Sequence, residues 1–139
     1  MACVLAEWAL AKAGGLGTAA RLIDMATYNT TRFAGERDVL IITSTHGEGD
    51  PPTTASDFFD FLDETSVDLS GLCFAVLSLG DSGYDQFCAA GKRIDGRLEA
   101  LGAHRLIERR DSDVGEGRQD REWLANAISQ FAASNCDAR

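Results

Sequence analysis

Long apolar runs are missing from this chain of 139 residues. None approaches the roughly 20 residues needed to cross a bilayer. A basic stretch followed by an apolar core and a cleavage site is missing from the amino terminus as well, so a cytoplasmic protein with no membrane partner is expected. Basic residues are scarce: 13 Lys and Arg stand against 22 Asp and Glu, a formal charge of −9. That balance excludes the basic footprint that nucleic acid requires. It leaves either a basic partner protein or a plain solvated surface. The four cysteines, Cys3, Cys73, Cys88 and Cys136, include no CxxC pair and no metal-ligand spacing, so neither a zinc site nor a disulfide framework is expected. Cys73 lies in an apolar run and reads as a small core residue. No GxSxG elbow occurs, and His46 and His104 sit in unrelated contexts, which leaves no nucleophile with a base and an orienting acid.

What is present is an ordinary globular composition, 45% hydrophobic and 25% charged, at a length suited to one domain. Residues 1–139 are taken as that domain, with 134–139 as a frayed tail. The informative stretch is VLIITSTHGEGDPP, Val39 to Pro52. Val39 to Thr43 is a short β-branched apolar run, the pattern of a parallel strand covered on both faces. It feeds a loop of hydroxyls, glycines and acids, and in open α/β sheets ligands bind just past the carboxyl ends of strands. Pro51 and Pro52 stop the strand, and Thr53 or Thr54 can cap a following helix.

In chain order, Ala2 to Ala13 predicts a helix ended by Gly14 and Gly15, and Thr18 to Asp24 predicts a short strand. Phe58, Phe59, Phe61 and Leu62 recur at helical spacing between Thr54 and Leu62, an aromatic stripe that belongs in a core. Leu72 to Leu79 predicts a second buried strand, again running into a glycine and polar loop, Gly80 to Phe87. A helix from Cys88 to Leu101, a strand from Arg105 to Glu108, an acidic loop Asp111-Ser112-Asp113 and a helix over 120–133 complete the chain. This alternation predicts an α/β fold with a parallel sheet and right-handed crossovers. Loops after Thr43, Leu79 and Glu108 then share one edge and form a composite site.

Backbone amides, the hydroxyls of Ser44, Thr45 and Ser82, and the rings of His46 and Tyr84 suit a planar cofactor better than covalent chemistry. Tyr84 is equally well read as a buried tyrosine with a satisfied hydroxyl. The segments STHGEGDPP at 44–52 and SLGDSGYDQFCAAGKRIDGRLEALGA at 78–103, in this order and spacing, resemble the flavodoxin-type FMN domain of the diflavin reductases, the sulfite reductase flavoproteins above all. The resemblance runs from about Ala2 to Phe131. It implies a flavodoxin-like doubly wound parallel sheet, three-layer α/β/α, five-stranded in the family, with FMN held across the loop tips. Ser44, Thr45, His46, Gly47, Glu48 and Gly49 match the loop that wraps one side of the flavin ring. Leu79, Gly80, Asp81, Tyr84, Phe87 and Cys88 match the second loop, in which the tyrosine stacks on the ring. Asp113, ahead of Asp111, matches an acid near the ring edge.

The resemblance also implies an electron-transfer role between an NADPH/FAD-containing reductase domain or subunit and a redox acceptor with a basic surface, such as a sulfite reductase hemoprotein. Glu48, Asp50, Asp81 and Asp85 would then steer that partner. Family members open with a central strand and a T-G-T-A or T-G-N-A phosphate loop, whereas this chain opens at Met1 inside the helix that follows them. The expectation is therefore a missing first central strand, a retained ring site and a weakened phosphate site. Such an open sheet edge suits strand addition by a second copy, a homodimer, and an interaction module without FMN is the alternative function.

Overall fold

The computed structural model describes residues 2–45, 55–83 and 87–133. Helix α1, Ala2–Gly15, buries a stripe of Leu5, Ala9 and Ala13, one residue per turn. Gly17, at φ +75°, terminates it: Thr18 N donates to Ala13 O and Gly17 N to Gly14 O, the two bonds of a left-handed helix stop. A 3-10 helix, Thr30–Gly35, is capped by the Asn29 side chain and carries Phe33 into a cluster of edge-to-face rings with Tyr28, Phe58 and Phe61. The chain then enters β1, Asp38–Ser44.

Helix α2, Ser56–Glu64, is followed by β2, Cys73–Leu79, whose seven residues are all buried. Helix α3 is Ala89–Ala100, β3 His104–Arg105, β4 Arg110–Ser112 and α4 Gly117–Ala133. Strands β1 and β2 run parallel, with Asp38 opposite Cys73 and Ser44 opposite Leu79. Strands β3 and β4 both lie parallel along the other side of β2, at Cys73–Phe74 and at Leu77–Leu79. Together they make one interrupted strand. Because strand side chains alternate, Ile41, Phe74 and Val76 meet α2 and α3 on one face, while Leu77 and Leu79 meet α1 and α4 on the other. The result is the expected three-layer α/β/α architecture.

Four expectations need correction. Thr18 to Asp24 is not a strand; it is irregular, with Leu22 and Ile23 exposed. Ala-Ala-Arg has little β propensity, and a strand without a neighbour cannot satisfy its backbone. Arg105 to Glu108 is not one continuous strand either. The chain leaves β2 after Leu106, whose N–H donates to Phe74 O at 2.8 Å, and rejoins it at Arg110, and this detour brings Arg105 and Arg109 to the same buried carboxylate, Asp95. Asp111 and Ser112, read as loop, are paired in β4. Cys73 is buried as expected and is also disulfide-bonded, which its spacing did not foretell. Among the described residues no strand precedes β1, and β1 ends the sheet with its outer edge outside the ladder. It is correspondingly less buried than β2, with Leu40 and Ile42 only partly covered.

Candidate functional site

The carboxyl ends of β1, β2 and β4 lie side by side, as the registers Ser44 to Leu79 and Leu79 to Ser112 require. Parallel strands end on one side of the sheet, so the segments that follow converge there. Thr45 continues the ladder: its N–H donates to Leu79 O at 3.0 Å. Its hydroxyl accepts from Ala90 N at 3.0 Å. Thr45 therefore caps the first turn of α3 from a different loop, a role the cap residue itself, Cys88, does not fill. One threonine thus ties the first loop to the base of the second.

Leu79 is buried against α1 and α4, so only its backbone faces the site. Gly80 donates its N–H to Ser112 O at 2.9 Å, joining the loop after β2 to the end of β4. A Cβ at Gly80 would lie 2.9 Å from Cys88 N and 3.0 Å from its Sγ, so only glycine allows this approach. Cys88 adopts a left-handed conformation, φ 56° and ψ 24°, unusual for a side chain with a Cβ. It is held by reciprocal bonds with Ser78: the Ser78 hydroxyl donates to Cys88 O at 3.3 Å, and the Cys88 thiol donates to Ser78 O at 3.3 Å. Burial pushes the Cys88 thiol up, with the Ser78 bond opposing. Cys88 is thus an internal anchor.

The exposed part of the second loop is Asp81, Ser82 and Gly83, folded by the Asp81 carboxylate, which accepts from Gly83 N at 2.8 Å. Asp113 reaches across to it. Its Oδ1 accepts from Ser82 N at 3.0 Å and from Val114 N at 2.8 Å, and its Oδ2 accepts from the Ser82 hydroxyl at 2.5 Å. The Ser82 bonds, first the hydroxyl and then the amide, hold the Asp113 carboxyl below the usual carboxylate range, helped by Val114 N. Asp111 takes no part in this; it pairs with Arg109 at 2.7 Å. Of the two acids weighed from the sequence, Asp113 is the one joined to the second loop. Phe87 is partly buried, with the Lys92 ammonium 5.8 Å from its ring centre.

The structure therefore assembles Ser44, Thr45, Leu79, Gly80, Asp81, Phe87, Cys88 and Asp113 on one edge. His46, Gly47, Glu48, Gly49 and Tyr84, with Asp50, Pro51 to Thr54 and Asp85, lie outside the described residues. Ser78, Gly91 and Ser112 were missed as parts of the site. A buried serine inside an apolar strand was the available signal, because such a hydroxyl must find a partner. Among the described residues no helix is long and apolar enough to cross a membrane, and no cluster of His, Cys, Asp or Glu is fit to hold a metal ion.

Comparison with known proteins agrees with this geometry. The flavodoxin family model matches residues 4–130. The NADPH oxidoreductase A of Dictyostelium discoideum is 50% identical over 94 residues, 68% of this chain and 15% of that protein. The sulfite reductase [NADPH] flavoprotein alpha-component of Neisseria meningitidis serogroup C is 42% identical over 116 residues, 81% of this chain and 19% of that protein. The chain thus spans less than one fifth of the length of these relatives. Among solved structures, a flavodoxin of Streptococcus pneumoniae TIGR4 superposes with a TM-score of 0.81 at 26% identity, covering 93% of this chain and 88% of that one.

Proposed function

The chain belongs to the flavodoxin family, and from that premise we propose that it holds FMN across the loops after β1 and β2 as an electron-transfer domain. The observation that carries this reading is the three-way tie at the sheet edge: Thr45 to Ala90, Gly80 to Ser112, and Ser82 to Asp113. Loops fixed in this way present backbone at constant positions, which is what holding a rigid planar ring requires. The donor set fits a flavin in its chemistry, with amides, hydroxyls and exposed small residues. Ser44, Gly80, Asp81 and Phe87 would hold the ring, with Thr45 fixing the first loop to α3 and His46, Gly47, Glu48, Gly49 and Tyr84 completing the two loops. FMN when bound supplies the redox chemistry, and the protein supplies orientation and local charge.

The partners in this reading are an NADPH/FAD-containing reductase domain or subunit as donor, and an acceptor with a basic surface such as a sulfite reductase hemoprotein. Exposed Asp81, with Glu48, Asp50 and Asp85, steers that surface by charge. The test is stopped-flow reduction of the FMN-loaded protein by an NADPH-reduced, FAD-containing reductase over a salt series. A rate that falls steeply with salt, and loses that dependence when the four acids are neutralised, is expected. A rate indifferent to both would remove the steering role.

One observation favours a second reading. In the described sheet β1 has β2 as its neighbouring strand on one side and no strand on the other, and five exposed large apolar side chains, Val4, Leu10, Leu16, Leu22 and Ile23, lie in the segment before it. An edge strand of this kind invites pairing with another chain. In this reading two copies join edge to edge, and sedimentation velocity across a concentration series would reveal the dimer or exclude it.

A further inference from the structure

Resting on the flavin reading above, we propose that Asp113 serves the site through Ser82, as the positioning residue that locks the second ring loop to the end of β4. The grip is double. One carboxylate oxygen takes the Ser82 amide at 3.0 Å and the other takes its hydroxyl at 2.5 Å, so both the backbone and the side chain of one loop residue are fixed. Among the described residues this grip ties the exposed turn Asp81–Gly83 to the end of β4, while the Asp81 carboxylate closes the turn itself by accepting from Gly83 N.

The post from which this grip hangs is rigid. Asp113 N donates to Glu116 Oε1 at 2.9 Å, and that oxygen also accepts from Arg110 Nη2 at 3.1 Å. The preceding residue, Ser112, is buried and donates its hydroxyl to the buried carboxylate of Asp120 at 2.8 Å. Asp120 in turn accepts from Arg110 Nε at 2.8 Å. The line from α4 through Ser112 and Asp113 to Ser82 thus ends two positions before Tyr84, the residue that the resemblance sets against the ring. With three N–H or O–H groups already on its two oxygens, Asp113 is committed to the loop. Its effect on a flavin is therefore one of preorganisation, and it falls on the ring loop and not on the phosphate.

The variants D113A, D113N and S82A separate this role from a direct charge on the flavin. Asparagine keeps the acceptor for Ser82 N and Val114 N and turns its amide toward the Ser82 hydroxyl, which then accepts. D113A is expected to raise the dissociation constants of FMN and of riboflavin by the same factor, about tenfold, and to speed exchange of the Ser82 amide hydrogen by a similar factor. D113N should stay within about threefold of wild type in both measurements, and S82A should fall between, since it keeps the amide bond. Unchanged Ser82 exchange in D113A, or a D113N variant that binds flavin as poorly as D113A, would overturn the proposal. If D113A does not fold, S82A carries the same test, and wild-type affinity in S82A with unchanged exchange would overturn it. A wild-type protein that binds neither flavin would defeat the flavin reading itself, while amide exchange would still decide whether Asp113 holds the loop.

Discussion

Alanine at Gly91 and alanine at Gly96 are expected to shift stability in opposite directions, although both glycines lie in α3. A Cβ at Gly91 would fall 2.1 Å from both Cβ and Oγ of Ser78 and 3.2 Å from its Cα. Carbon atoms settle at about 3.5–4.0 Å, so the helix must lift from β2 by roughly 1.5 Å. Rotating the Ser78 hydroxyl does not help, because its Cβ is fixed to the strand, and rotation would break the bond to Cys88 O. Overpacking of a dense interior costs about 1–3 kcal/mol, and orphaning a buried hydroxyl adds about 1 kcal/mol. Against this, alanine gains about 1 kcal/mol over glycine in a helix interior. The steric cost wins, and G91A should lose about 1–3 kcal/mol. At Gly96 no atom lies within 4 Å of the added methyl, so only the helix term acts. G96A should gain about 0.5–1 kcal/mol. Thermal unfolding should show G91A lower by roughly 3–12 °C and G96A higher by roughly 2–4 °C. Because α3 also carries Ala90, whose amide is bonded to Thr45, G91A should weaken flavin binding and G96A should not. A G91A protein as stable as wild type would refute the close approach of α3 to β2.

Other consequences follow from single bonds. T45A removes the acceptor for Ala90 N and should cost about 1 kcal/mol in urea unfolding, and T45S should restore most of it; equal stability of all three would argue against the cross-loop cap. Asp95, buried, accepts from Arg105 Nη2 at 2.7 Å and Nε at 3.1 Å and from Arg109 Nη1 at 3.2 Å. These bonds, with Glu99, hold the Arg105 guanidinium above its usual range. D95A should cost about 2–3 kcal/mol, below the full 3–5 of a sealed pair because both arginines reach water, and a loss under 1 kcal/mol would contradict the role given to this network. Burial, and then the Glu36 carboxylate that accepts its hydroxyl at 2.7 Å, push the ionisation of Tyr28 well above the ordinary 10.0. A raised folded value means its contribution is complete below pH 10.0 and is lost as pH rises toward the folded value. Unfolding measured at pH ~8 and ~11 should therefore show a loss in the wild type that Tyr28→Phe reduces; identical losses would show that Tyr28 is not so shielded.

Strands β1 and β2 were legible because a parallel strand covered on both faces needs a nearly continuous apolar run, and VLIIT and LCFAVLSL supply one. Strand β4 was not, because Arg-Asp-Ser carries no apolar residue. It pairs with β2 because its polar groups find Asp120 and Glu116 in the folded protein, information that no local window contains. Residues 18–24 failed in the opposite sense, since Ala19, Ala20, Leu22 and Ile23 suggested a strand that has no neighbour in the described sheet. In the site, Thr45, Gly80, Cys88 and Asp113 matched the family loops, and the fold brings these four to one edge of the sheet. What each does there came only from the contacts. Cys88 faces inward and Thr45 spends its hydroxyl on α3, so both support loops whose exposed residues are left to meet a ligand.

The most direct test of the account is titration of FMN with the purified protein, followed by the quenching of flavin fluorescence. Saturable quenching with one FMN per chain is expected, and riboflavin, which has the same ring without the phosphate, should be quenched as well. Fluorescence that stays unquenched for both at protein concentrations up to about 100 μM, weaker than about 5.5 kcal/mol of binding, would contradict the central claim that these loops hold a flavin.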